Sequence, residues 1–209
     1  MSSTKSSSRT RASSTQRAVT PAQAKGRSQT FANVVASLAG LGLGVALVSE
    51  LQSVTSASFT DSAALFTLLG RVCGMVGTYG IILTLFLIAR IPWLEREVGF
   101  DRTVVWHRKL APYALLLVGL HVIFILLGYS MKDGTNVFTQ LWKLTSQTRW
   151  ILPALAGFIL FITAGVTSYK RVRSRMSYET WWIIHLYTYL ALALSYAHQV
   201  LLGNAFILH

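Results

Sequence analysis

Five stretches of this 209-residue chain carry no Lys, Arg, Asp or Glu: 28–49, 72–89, 110–131, 150–169 and 180–209. Each is long enough to cross the hydrocarbon core of a bilayer as a helix, which takes about 20 residues. A lone strand in lipid would leave its backbone groups unpaired, and these runs lack the period-2 alternation of a barrel, so helices are the only sensible assignment. Composition agrees: 53% of residues are hydrophobic and 12% are charged, against roughly 25% charged in soluble globular domains. The expected fold is all-α, a polytopic transmembrane helix bundle with five spans.

The net charge of +12, from 19 Lys and Arg against 7 Asp and Glu, would suggest nucleic acid on a soluble protein. Its distribution says otherwise. Fifteen of the 19 basic residues lie in the N-terminal arm, in the second-to-third connection and in the fourth-to-fifth connection. The connections on the opposite side hold Lys132, Lys143 and Arg149. By the positive-inside rule the N-terminus is cytoplasmic and the excess charge is topological, with no nucleic acid implied. Residues 1–29 are rich in Ser and Thr and have no acids, which reads as a disordered basic cytoplasmic arm suited to anionic lipid. A transit or signal peptide fits less well, because the apolar run that follows is longer than a signal core and lacks a clear cleavage site. Cys73 is the one cysteine, which excludes an intrachain disulfide and cysteine-built zinc or iron–sulfur sites. Gly40 with Gly44, and Gly70 with Gly74, have the spacing that lets helices approach closely, a spacing that also arises by chance in glycine-rich helices.

Four of the five histidines lie on two spans: His107 and His121 on the third, His185 and His198 on the fifth. Ionisable residues in a membrane are costly and functional by default. One such histidine is more often a hydrogen-bonded packing residue than a ligand, but two matched pairs need a stronger explanation. At 1.5 Å per residue the pairs span about 21 and 20 Å. The third and fifth spans run in the same direction, so His107 faces His185 near the inner surface and His121 faces His198 near the outer one. Fourteen residues return to nearly one helix face, whereas thirteen do not, so His185 and His198 share a face only if the helix is distorted; otherwise they approach from different angles. Imidazole is a haem-iron ligand, and two opposed histidines at each of two levels suit two six-coordinate haems. A zinc site wants three or four ligands at one point, and a proton relay lacks the acids that usually share such work.

The run RIPWLEREVGFDRTVVWHRKL over 90–110, the H-x13-H and H-x12-H spacings, and YETWWIIH over 178–185 resemble the ferric reductase-like transmembrane domain. This is the membrane half of flavocytochromes such as NADPH oxidases and ferric reductases, here closest to bacterial, actinobacterial-type members. The resemblance covers about residues 31–203, within a domain read as 30–209. It implies two b-type haems in a plasma membrane, held by His107, His185, His121 and His198. They would carry electrons from cytosolic FAD and NAD(P)H to an extracytoplasmic acceptor such as ferric chelate or dioxygen. It also sets Arg71 beside the outer haem, although Arg71 equally suits snorkelling to the outer interface. Arg102 and Arg108, with Arg96, flank the inner pair as candidate propionate partners, and Arg149 joins Arg71 at the outer one, although cytoplasmic loops are basic in any case.

Relatives continue into a sixth helix and an FAD and NAD(P)H domain, whereas this chain stops near the outer end of its fifth span. It is therefore expected to be a fragment or to depend on a flavin/NAD(P)H domain or flavoprotein donor, since it lacks the half that oxidises NAD(P)H. The alternative is a haem-binding membrane subunit, fed by quinol or a separate flavoprotein and serving a periplasmic reductase. Haem subunits of methionine sulfoxide reductase systems share this domain type and approximate size. A haem-free polytopic protein of transport or assembly must treat the four histidines as coincidence.

Overall fold

A computed structural model describes residues 21–52 and 54–202. The helices, in chain order, are α1 (Pro21–Leu51), α2 (Ala57–Thr60), α3 (Ser62–Ile88), α4 (Pro92–Val98), α5 (Phe100–Asp133), α6 (Val137–Gln147), α7 (Ile151–Ser168), α8 (Lys170–Arg173) and α9 (Tyr178–Leu202). No strand occurs among the described residues. By length and hydropathy α3, α5 and α7 are each able to cross a membrane, and α1 carries a shorter apolar segment, Asn33–Val45. The chain is thus a membrane helix bundle, and α1 and α9 are the helices of the first and fifth expected spans.

The sequence sets the helix limits. Asp61 caps α3, its carboxylate accepting from the N–H groups of Ala63 and Ala64 at 3.2 Å each. Asn136 does the same for α6 through Thr139 N–H at 2.8 Å. Gly134, with φ of 63°, takes the left-handed conformation that closes α5.

Two antiparallel hairpins, α3 with α5 and α7 with α9, form the body, and α1 lies along α3. Small residues allow the close approach in the first hairpin. A Cβ on Gly70 would fall 2.8 Å from the Ile125 side chain, and one on Gly80 would fall 2.9 Å from Ala114 Cβ. The Gly70/Gly74 pair is therefore a real packing motif, whereas Gly40 and Gly44 face open space with nothing within 4 Å. In the second hairpin a Cβ on Gly157 would meet the Ala191 carbonyl at 2.8 Å. The hairpins meet at Ile81, Ala114, Phe161 and the fully buried Ala191. In sequence, Ala114 stands midway between the two histidines of α5. Large apolar side chains such as Leu38, Leu41, Leu116 and Ile159 are exposed, as lipid-facing residues should be.

Three features depart from the sequence-based expectation. Helix α1 begins at Pro21, so it takes in residues 21–29 that were assigned to the disordered arm; residues 1–20 lie outside the described residues, as do 203–209 at the end of the fifth expected span. The third span is part of a longer helix, α5, which starts ten residues earlier at Phe100 because Phe100 to Lys109 continue the helical path beyond the apolar run. Between α5 and α7 lies the amphipathic α6, with Phe138 and Trp142 at 83% and 75% exposure and Gln140 buried. Its mixed composition kept it out of a search for charge-free runs.

Candidate functional site

Both histidines of α5 are tied to α3. The Nδ1–H of His107 donates to the Thr84 carbonyl at 2.9 Å, and that of His121 donates to the Gly70 carbonyl at 2.8 Å. Because a carbonyl only accepts, each bond fixes the proton on Nδ1 and leaves Nε2 with its lone pair. Carbonyls inside a helix still have a second lone pair to offer. Gly74 makes the outer bond feasible, since a Cβ there would lie 2.5 Å from His121 Nδ1 and 2.9 Å from Cε1. The imidazole rests on bare backbone.

The histidines of α9 are held differently. His185 and His107 lie with ring centroids 6.2 Å apart and planes inclined at 75°. His185 Nδ1 is 3.4 Å from Ser168 Oγ, the last residue of α7, and Trp181 Nε1–H donates to that same oxygen at 3.1 Å. The Trp181 ring stacks on His185 with centroids 5.0 Å apart and 21° between planes. The Arg173 guanidinium lies 4.9 Å from the Trp181 centroid. The buried Nδ1 of His198 has no hydrogen-bond partner among the described residues. Helix α9 is unbroken from Tyr178 to Leu202. Of the two pairs anticipated from sequence, the described residues show a ring contact for His107 with His185.

The arginines divide. Arg71 forms an ion pair with Glu50, Nε to Oε1 at 2.6 Å, with the Glu50 side chain at 5% exposure. Glu50 was missed because it falls one residue past the end of the first charge-free run. Arg71 therefore neither snorkels alone nor stands as an isolated cation; a buried carboxylate near the C-terminal end of α1 anchors it. Arg102 and Arg108 are exposed on the first turns of α5, as is Arg96 on α4, and Arg149 is exposed before α7. Tyr187 and Tyr189, between the histidines of α9, are exposed, and Phe124, three residues past His121 on α5, packs on Phe66 with centroids 6.0 Å apart.

Among the described residues, no group of three or more His, Cys, Asp and Glu gathers at one point to hold a metal ion. Two imidazoles bonded to one metal ion at about 2.0–2.1 Å each have ring centroids roughly 6.3 Å apart. The inner pair has that separation, and the Nδ1 hydrogen bonds of His107 and His121 are the outer support that metal-ligating histidines commonly have. The residues present fit haem iron between facing imidazoles.

Comparison with known proteins points the same way. Residues 73–196 match the family described as ferric reductase like transmembrane component. The protein-methionine-sulfoxide reductase heme-binding subunit MsrQ of Caulobacter vibrioides is 32% identical over 130 residues, 62% of this chain and 60% of that protein. The chain thus matches three-fifths of the length of this curated relative. No solved structure matches.

Proposed function

Because the chain belongs to the ferric reductase-like transmembrane component family, we propose that it is a haem-binding membrane subunit that passes electrons across the bilayer to an extracytoplasmic partner reductase. The observation that carries this reading is the facing pair His107 and His185, 6.2 Å apart, with each α5 histidine locked by an α3 carbonyl so that Nε2 is the ligating atom. His107 and His185 would hold one b-type haem near the inner surface, and His121 and His198 a second near the outer one. Haem held there supplies one-electron exchange through iron. The chain's residues would do the rest: α3 orients the imidazoles of α5, the apolar core keeps water out, and a histidine pair at each site would leave dioxygen or a ferric chelate no open coordination position.

The similarity to a haem-binding reductase subunit favours a partner enzyme over ferric chelate or dioxygen as the acceptor. Electrons would enter from the cytoplasmic side, where the basic connections lie, from a flavoprotein, a flavin/NAD(P)H domain or quinol. The test is a reduced-minus-oxidised spectrum of the purified, detergent-solubilised chain, with a pyridine haemochrome count. Two low-spin b-type haems per polypeptide are expected. A folded chain without haem, after haem has been supplied during expression, overturns the proposal.

A further inference from the structure

The two α5 histidines are oriented by backbone carbonyls of α3. His185 is oriented by side chains alone. Its Nδ1 lies 3.4 Å from Ser168 Oγ, and that oxygen also accepts from Trp181 Nε1. Trp181 in turn covers one face of the imidazole, with 21° between planes. An imidazole on a helix turns about its χ2 bond between two broad wells in which Nδ1 trades places with Cδ2 and Nε2 with Cε1. Stacking restrains the plane, and the hydroxyl, which donates or accepts according to the tautomer, is placed to accept from Nδ1–H when Nε2 is the ligating atom. Arg173 closes the column on the inner side. Its guanidinium lies over Trp181 and its Nη1 donates to the Met176 carbonyl at 3.1 Å, so the α8–α9 turn and the indole are held as one unit.

We infer that Ser168 and Trp181 are positioning residues of the inner histidine pair. With Nε2 ligating, Ser168 accepts from the Nδ1–H of His185, Trp181 fixes the ring plane, and together they turn Nε2 toward His107. The inference rests on the proposed haem function and deepens it, because it assigns the control of the inner site to two side chains at the α7–α9 junction. Hydrogen bonding at Nδ1 raises the basicity of the ligating nitrogen and so favours ferric iron. Loss of the bond favours ferrous iron.

The test uses the full chain loaded with haem. Optical redox titration and low-temperature electron paramagnetic resonance of ferric haem are compared for wild type, Ser168→Ala, Ser168→Thr, Trp181→Phe and Trp181→Ala. The same substitutions in a His198→Ala background identify the inner haem. In Ser168→Ala the ferrous-to-ferric ratio of the inner haem at fixed potential is expected to rise about tenfold, or 59 mV for one electron, with the outer haem unchanged. Ser168→Thr restores the wild-type titration because it keeps the hydroxyl. Trp181→Phe, which keeps a stacking ring but loses the N–H, shifts it less than Trp181→Ala. An unchanged inner titration and resonance signal in Ser168→Ala overturns the inference, as does an equal shift in both haems. Should Ser168→Ala fail to assemble, Trp181→Phe decides by the same criterion. A wild-type chain without haem overturns the function itself, a result distinct from a haem-loaded wild type whose variants do not differ.

Discussion

Gly74 offers a direct way to disturb the outer histidine pair without touching a ligand. A Cβ at this position lies 2.5 Å from His121 Nδ1, 2.9 Å from Cε1 and 3.0 Å from Cγ, so Gly74→Ala sets a methyl group against the ring. To regain ordinary contact of 3.4 Å or more the ring must retreat by roughly 0.9 Å. The Nδ1 bond to the Gly70 carbonyl, 2.8 Å at present, then passes the range of a hydrogen bond. Overpacking costs about 1–3 kcal/mol and the lost bond about 0.5–1.5 kcal/mol. If the combined cost of about 2–4 kcal/mol falls on the ligated state, haem affinity at the outer pair drops roughly 30- to 700-fold. The inner pair is about 21 Å away along α5 and should keep its haem. The assay is haem stoichiometry during titration of the apo-chain with haem, with Gly44→Ala as control because nothing lies within 4 Å of Gly44. Full occupancy of both sites in Gly74→Ala, with wild-type affinity, would refute the view that His121 is seated on bare α3 backbone.

Other outcomes follow from the same geometry. His121→Ala or His198→Ala should remove the outer haem and stop outward transfer while sparing the inner haem, as read by haem count and reduction kinetics; equal loss of both would mean failed folding. Glu50→Gln should lower stability in detergent by about 1–3 kcal/mol, and Glu50→Gln with Arg71→Gln should cost less than the sum of the two single changes. A thermal melt of the four proteins checks this, and strict additivity would remove any energetic role for the pair. In a Cys73→Ser background, Lys143→Cys should react with a membrane-impermeant thiol reagent in intact cells, whereas Arg171→Cys should react only after permeabilisation. The opposite pattern would invert the topology.

Much of this was legible in the sequence, for reasons that differ by element. The bundle was legible because lipid forbids charge over a full span, so 72–89, 110–131 and 150–169 stood out as charge-free runs. The His107–His185 pairing was legible because parallel helices preserve axial distance, and ladders of 14 and 13 residues are expected to stay in step. What was not legible depends on neighbours distant in sequence. Arg71 could be assigned only a depth, because its partner Glu50 sits on another helix. Ser168 gave no signal and Trp181 only as one letter of the run over 178–185, since a serine ending one helix and a tryptophan starting another have no evident role until the α7–α9 hairpin brings them onto His185. Helix α6 was hidden by its amphipathic composition.

The difference between the two histidine spacings has a structural cause. On α3 the accepting carbonyls belong to Gly70 and Thr84, and on α5 the donating rings belong to His107 and His121. Both separations are fourteen residues, and because the helices are antiparallel the two bonds occupy one register. Fourteen residues are two heptads, the interval after which two gently supercoiled helices present the same faces to each other. A helix that must orient both ligands of a partner through its own backbone thus requires a heptad multiple between them. Helix α9 is under no such constraint, because its histidines do not both draw support from one neighbouring helix: Ser168 serves His185, and His198 Nδ1 has no partner among the described residues. Thirteen residues are therefore tolerable there. Insertion of one residue between His185 and His198 should accordingly be less damaging to haem binding than the same insertion between His107 and His121, which breaks the register with α3 as well as the facing of the pair. Haem counts on the two insertion variants decide the matter, and equal loss would show that α3 does not set the spacing.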